Sequence, residues 1–190
     1  MSWAIFKTAF LHSIACIEEQ YFVIPRYGNN GITYVQRERV YCYELYHQLR
    51  CHLGDQFSYT VHGEIDKGGQ QWIREQLTHY DPALQRTPNP DFVIHQPGNI
   101  AVGTQLVAIE VKPTKRLNLE KAQKDIRKLR AFVEAIGYQH AIFLIFGPDR
   151  PRLRINDLAN DLEIHSEYIH VVWHQRAGEE PHILRRNGTW

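Results

Sequence analysis

The chain has 190 residues, 43% of them hydrophobic and 12% aromatic, with four Trp and ten Tyr; this excludes a disordered or low-complexity protein and fits one compact domain over 1–190. Its net charge of only +1 excludes a uniformly basic or acidic chain. The three cysteines, Cys16, Cys42 and Cys51, are odd in number and form no CxxC, so neither a disulfide framework nor a structural zinc site is signalled, and a reducing, cytoplasmic setting fits best.

In chain order, Trp3, Phe6, Phe10, Ile14 and Ile17 recur at helical spacing and predict an amphipathic helix over about 3–20. Lys7 and His12 interrupt this run and no basic residues precede it, so it reads neither as a signal peptide nor as a membrane span. No membrane partner is expected. Pro25 to Gly31 reads as a turn region. Tyr41, Cys42, Leu45, Leu49 and Leu53 share one face of a helix over Arg37 to Leu53, which Gly54 ends. Phe57 to Ile65 alternates as a strand, Gln70 to Tyr80 reads as a short helix, and Asp81 to Pro90 as a loop with three prolines.

Asp91 to His95 and Leu106 to Lys112 read as two strands in a hairpin-like arrangement, with Pro113 barred from continuing as a paired central strand. Asn118 is set to cap a helix over Leu119 to Ile136 that Gly137 terminates. That helix buries Ala122, Ile126, Leu129, Val133 and Ile136 and places Lys121, Lys124 and Lys128 on its far side. Ala141 to Phe146 has the apolar run of a strand covered on both faces. A short helix near Ile155 to Leu162 and strands near Tyr168 to His174 and His182 to Arg185 complete the pattern. The order α, β, β, β, α, β over 37–146 implies a two- or three-layer α/β domain, with an N-terminal helix and added C-terminal strands.

Charge is unevenly distributed. From Lys112 to Arg130 eight basic residues stand against Glu120 and Asp125, a local +6, so the remaining residues sum to −5. Lys115, Arg116, Lys121, Lys124 and Lys128 are therefore candidate contacts for a polyanion. A solvated helix face is the plainer reading of the same residues.

Glu110 and Lys112 lie two apart in an otherwise apolar strand, so both side chains project from one face, about 6.5–7 Å apart at the backbone. Buried charges are costly unless paired or bound to a metal. An ordinary strand-end ion pair accounts for these two alone, but Asp91, after Pro90, opens the preceding strand and brings a second carboxylate to the same place. Two converging carboxylates suit a hard cation such as Mg²⁺ or Mn²⁺. Glu64 and Asp66 share a face at the end of the first strand and are further candidates for a metal ligand or a salt bridge. The eleven histidines give no zinc pattern: His170 and His174 fall in a strand, where that spacing separates them by roughly 13 Å.

Pro90-Asp91, then Glu110-Val111-Lys112 on consecutive strands, followed by a basic helix and an apolar strand, resembles the PD-(D/E)XK nuclease superfamily. The resemblance covers about 37–146. It implies a restriction-endonuclease-like core with a central mixed sheet flanked by helices, and a Mg²⁺- or Mn²⁺-dependent nuclease acting on nucleic acid, with DNA as the expected substrate. It also implies a metal held by Asp91, Glu110 and the Val111 carbonyl, with Lys112 activating water. Many members add a Glu from the preceding helix. Glu38 and Glu44 are the candidates, and Glu44 is favoured as a mid-helix flanking position that need not bury an unpaired charge. The alternative expectation is a catalytically inactive nuclease-fold subunit of a larger defence or repair assembly, and either form leaves room for a homodimer or a protein partner that supplies specificity.

Overall fold

The computed structural model describes residues 2–63, 71–84, 90–99, 101, 103–149 and 168–184. Helix α1 spans Ser2–Ala15 and a short helix α2 spans Glu19–Phe22, so the expected continuous helix to residue 20 is broken after Ala15. Pro25 to Gly31, expected as a turn, belongs instead to a hairpin of β1 (Ile24–Gly28) and β2 (Gly31–Val35). Gly31 takes φ 102° at its tip, a conformation open to glycine, which lets the chain reverse there. The hairpin's outer positions Tyr27, Ile32 and Tyr34 are exposed.

Helix α3 (Glu38–Leu53) then buries Tyr41, Cys42, Leu45 and Leu49, the face foreseen from their spacing, and Gly54 follows it with φ 62°. Strand β3 (Thr60–Gly63), helix α4 (Gln71–Tyr80), strands β4 (Phe92–His95) and β5 (Gln105–Pro113), helix α5 (Leu119–Glu134) and strands β6 (His140–Phe146), β7 (Ile169–His174) and β8 (His182–Ile183) follow. The helix expected at 155–162 and Arg185 lie outside the described residues.

Strands β3 to β8 form one six-stranded sheet in sequence order. The pairs β3–β4, β4–β5 and β7–β8 are antiparallel, whereas β5–β6 and β6–β7 are parallel. A parallel pair needs a crossover, and α5 provides it between β5 and β6. Both faces of the sheet are covered. Phe6, Phe10 and Ile14 of α1 and Tyr41, Leu45 and Leu49 of α3 pack on Phe92, Ile94, Ile109, Val111 and Leu144. On the other face, Ile73 and Leu77 of α4 and Ile126, Leu129 and Phe132 of α5 pack on Val93, Ala108, Phe143 and Ile145. The result is a mixed α/β sheet between two helical layers, and β6 is apolar throughout because it is buried on both sides.

Pro113 is the last residue of β5 and pairs with Phe146, contrary to the expectation that proline ends the pairing before it. Successive residues of a strand direct their backbone groups to opposite edges. Val111 N–H points to the β4 edge, where it donates to Asp91, so the nitrogen of Pro113 faces that edge too. Strand β4 pairs only as far as Phe92 with Ile109, and the missing N–H leaves no gap in a ladder.

Gln36, buried between the hairpin and α3, anchors this end of the sheet. Its Nε2 donates to the Phe146 carbonyl and to Thr114 Oγ1, each at 3.4 Å, and its Oε1 accepts from Lys115 N–H at 3.4 Å. Gly147 adopts φ 132°, and a Cβ there would overlap the Gln36 and Thr114 side chains. Strain and overlap act in the same direction, so Gly147→Ala is expected to cost roughly 2–4 kcal/mol. Urea unfolding checks this; an unchanged midpoint would show that the Gln36 anchor can move aside freely.

Candidate active site

Along β5 the side chains alternate, with Val107, Ile109 and Val111 facing α3 and Ala108, Glu110 and Lys112 facing α5. Strand β4 places Phe92 opposite Ile109, which sets Asp91 beside Glu110 at the strand's exit. Three carboxylates surround the Lys112 ammonium: Glu110 Oε1 at 2.8 Å, Glu38 Oε1 at 3.4 Å and Asp91 Oδ2 at 3.9 Å. Asp91 and Glu110, expected from their strands to converge, thus both lie within 4 Å of the Lys112 ammonium. Asp91 Oδ2 also accepts the Val111 N–H at 2.7 Å. Because a strand residue directs N–H and C=O to the same edge, the Val111 carbonyl faces this side as well.

The helix carboxylate beside Asp91 and Glu110 is Glu38, and the choice of Glu44 is corrected. Glu44 lies six residues on, about 9 Å along the axis and on another face, where it accepts from Gln48 Nε2 at 2.7 Å. The supposed cost of an unpaired charge at the helix start does not arise, since Lys112 pairs with Glu38. Glu38 also opens α3, where the helix dipole favours an acidic side chain. Glu64 and Asp66 lie outside the described residues.

Lys128 does not belong to an exposed stripe. It is buried, with Nζ 2.5 Å from Glu110 Oε2 and 3.8 Å from Asp125 Oδ1. The spacing of α5 predicts a buried arc of Ala122, Ile126, Leu129, Val133 and Ile136. Ala131 and Phe132 are buried too, which turns the arc toward Lys128, whereas Val133 is only partly covered. Glu110 Oε2 receives no directed hydrogen bond from the described residues, so its contact with Lys128 is a charge pairing inside the protein. Lys115, Arg116, Lys121 and Lys124 are exposed as expected, together with Arg127. Asn118 Oδ1 accepts from Lys121 N–H at 2.9 Å and caps the helix.

No protein-family model, curated protein or solved structure matches the chain.

The electrostatics of the cluster follow from its composition. Among the described residues, Glu38, Asp91, Glu110 and Asp125 pair with Lys112 and Lys128, an excess of two negative charges within this set when all are ionised. Burial, then the neighbouring Glu110, pushes the Asp91 carboxyl up to about 7 against the pull of Lys112 and the Val111 N–H. Burial and Glu110 likewise push Asp125 up to about 6, despite both lysines. Burial alone would lower Lys112, but Glu110, Asp91 and Glu38 outweigh it and hold the ammonium well above its ordinary range. Cys42, buried on α3, is raised by burial and by the Asp91 and Glu38 charges, so it stays a thiol.

Among the described residues, the trio of metal-donor side chains whose donor atoms lie within 4.8 Å of one another is His12, Cys16 and His52, on the helical layer. The site carboxylates stand more widely, around Lys112. The sequence contained a signal for the trio in His12 and Cys16, four apart on a helical face, but their partner His52 comes from a different helix.

Proposed function

We propose that the chain is a divalent-cation-dependent nuclease with a PD-(D/E)XK core, hydrolysing phosphodiester bonds in DNA. The observation that carries this reading is the two-charge excess of carboxylate at the end of β5, the surplus that a divalent cation neutralises. The order α3, β3, α4, β4, β5, α5, β6 contains the run of a helix, three strands, a helix and a strand that the resemblance implies, with α4 inserted between β3 and β4. No helix among the described residues is long and apolar enough to cross a membrane.

The donor set fits Mg²⁺ or Mn²⁺. Asp91, Glu110, Glu38 and the Val111 carbonyl offer oxygens only, the chemistry those ions select. When bound, such an ion polarises a phosphate oxygen and lowers the pKa of coordinated water. The Val111 N–H orients Asp91 toward the cation position, and Lys128 holds Glu110 from behind, so neither carboxylate must be reorganised during reaction. In the metal-free protein the Lys112 ammonium occupies the middle of the carboxylates. With a cation held by the carboxylates, the Lys112 ammonium would be available to the scissile phosphate, where its charge would stabilise the negative charge that develops at phosphorus.

Lys115 and Arg116, directly after β5, and Lys121 and Lys124 on the first turns of α5 supply exposed cations next to the carboxylates, suited to the flanking phosphates. The β1–β2 hairpin, anchored through Gln36, adds exposed Tyr27, Tyr34 and Arg26 for contacts along a strand.

Plasmid, linear duplex and single-stranded DNA incubated with the protein and Mg²⁺ or Mn²⁺ test the proposal. Cleavage should require the ion and fall roughly 10²- to 10³-fold in Lys112→Ala. Glu38→Gln should lower the rate at least about tenfold, and Glu44→Gln should leave it within about twofold. Absence of cleavage under all these conditions, or equal rates in Lys112→Ala, would overturn the proposal.

A further inference from the structure

A second metal centre lies on the helical layer, remote from the carboxylates. His12 and Cys16 are four residues apart at the end of α1, and the helical turn continues to Cys16, whose N–H donates to the His12 carbonyl at 3.1 Å. They therefore project from one face. His52, in the last turn of α3, meets them: the His12 and His52 rings are 4.5 Å apart at their centroids, and one donor atom from each of the three side chains lies within 4.8 Å of the others. His52 is fourteen residues beyond Glu38, about 21 Å along α3, so the two sites are distinct.

Two features distinguish this cluster from chance crowding. His52 Nδ1 lies 2.8 Å from the Gln48 carbonyl and 3.2 Å from Ser13 Oγ. A proton on Nδ1 donated to that carbonyl fixes the tautomer and leaves Nε2 as the ring's donor, the outer support that metal-binding histidines ordinarily have. Second, the donors come from two helices that pack side by side, so their spacing is set by the core beneath them. Tetrahedral Zn²⁺, with bonds of about 2.0–2.3 Å, needs donors about 3.3–3.7 Å apart. Side-chain rotation supplies a closing movement of about 1 Å at these half-buried and exposed positions.

We propose that His12, Cys16 and His52 bind one Zn²⁺ ion that fastens α1 to the end of α3, with a fourth position open to water. Two imidazoles and a thiolate select zinc over magnesium. Binding converts the Cys16 thiol to thiolate and releases its proton to solvent. The site is independent of the carboxylates, so failure of either leaves the other standing.

Titration of the full chain with Co²⁺, used as a coloured substitute, tests this directly. One equivalent should produce the visible bands of tetrahedral cobalt and a thiolate charge-transfer band, and Zn²⁺ should displace it. Cys16→Ser should abolish the charge-transfer band, His52→Ala should weaken binding at least tenfold, and Cys51→Ser should change neither. In the unmodified protein, Zn²⁺ should slow alkylation of Cys16 by iodoacetamide and leave the exposed Cys51 reactive, a readout that needs no variant to fold. A charge-transfer band that is missing from the wild type, survives Cys16→Ser or disappears in Cys51→Ser would overturn the site, as would Cys16 alkylation indifferent to Zn²⁺.

Discussion

Lys128→Met should destabilise the protein by roughly 3–5 kcal/mol, far more than the same substitution at Lys121 or Lys124 on the same helix. The methionine keeps most of the aliphatic stem and so little packing is lost. What disappears is the ammonium 2.5 Å from Glu110 Oε2, at a position where both side chains are buried. Glu110 would retain Lys112 on Oε1 but leave Oε2 charged and without a cation. Lys121 and Lys124 are exposed, and replacing either should stay within about 0.5 kcal/mol. The double variant Glu110→Gln with Lys128→Met should recover much of the loss, because removing both charges removes the uncompensated one. Chemical denaturation of the four proteins measures this. Equal effects at positions 124 and 128 would mean that Lys128 faces solvent after all.

Asp91→Asn should have the opposite effect, stabilising the metal-free protein at pH 8 by on the order of 2–4 kcal/mol. The folded state raises this carboxyl from 3.8 to about 7, because it is buried beside Glu110. Between these values the folded protein holds a proton that the unfolded chain has released, so stability falls as pH rises from about 4 to about 7 and levels off above. Below 4 both states are protonated and the penalty vanishes. Asparagine can still accept the Val111 N–H but never ionises, so the variant should lack this part of the slope while keeping the smaller one, of the same sign, from Asp125. A gain in stability on removal of one charge is what a buried cluster of like charges predicts. Unfolding curves at pH 4, 6 and 8 decide it; a variant less stable than wild type at pH 8 would show that ionised Asp91 is well compensated.

Much of this arrangement was legible in the sequence because the signals are local. The period-two spacing of Glu110 and Lys112, the cap at Asn118, the apolar face of α3 and the continuous apolar run of β6 each depend on neighbours within a few residues. Those elements appear within two residues of their expected limits. What escaped depends on contacts distant in sequence. Lys128 looked like one more exposed cation until Glu110, 18 positions earlier, was found beneath it. Glu38 looked poorly placed because its partner Lys112 lies on a strand 74 residues away. Pro113 broke no ladder because β4 had already ended, and His52 completes a trio with residues of another helix. Charge patterning along one helix cannot report which charged residue is turned inward when the burying surface comes from elsewhere.

Isothermal titration of Mn²⁺ into the metal-free protein, in a Cys16→Ser background that removes the thiolate donor, bears most directly on the carboxylate centre. The unsubstituted site should bind the ion with release of a proton near pH 6.5, since Asp91 must ionise to ligate it, and Asp91→Asn should bind at least about tenfold more weakly and release less. Absence of binding, or binding that is equally tight in Asp91→Asn, would contradict a divalent-cation site at the end of β5.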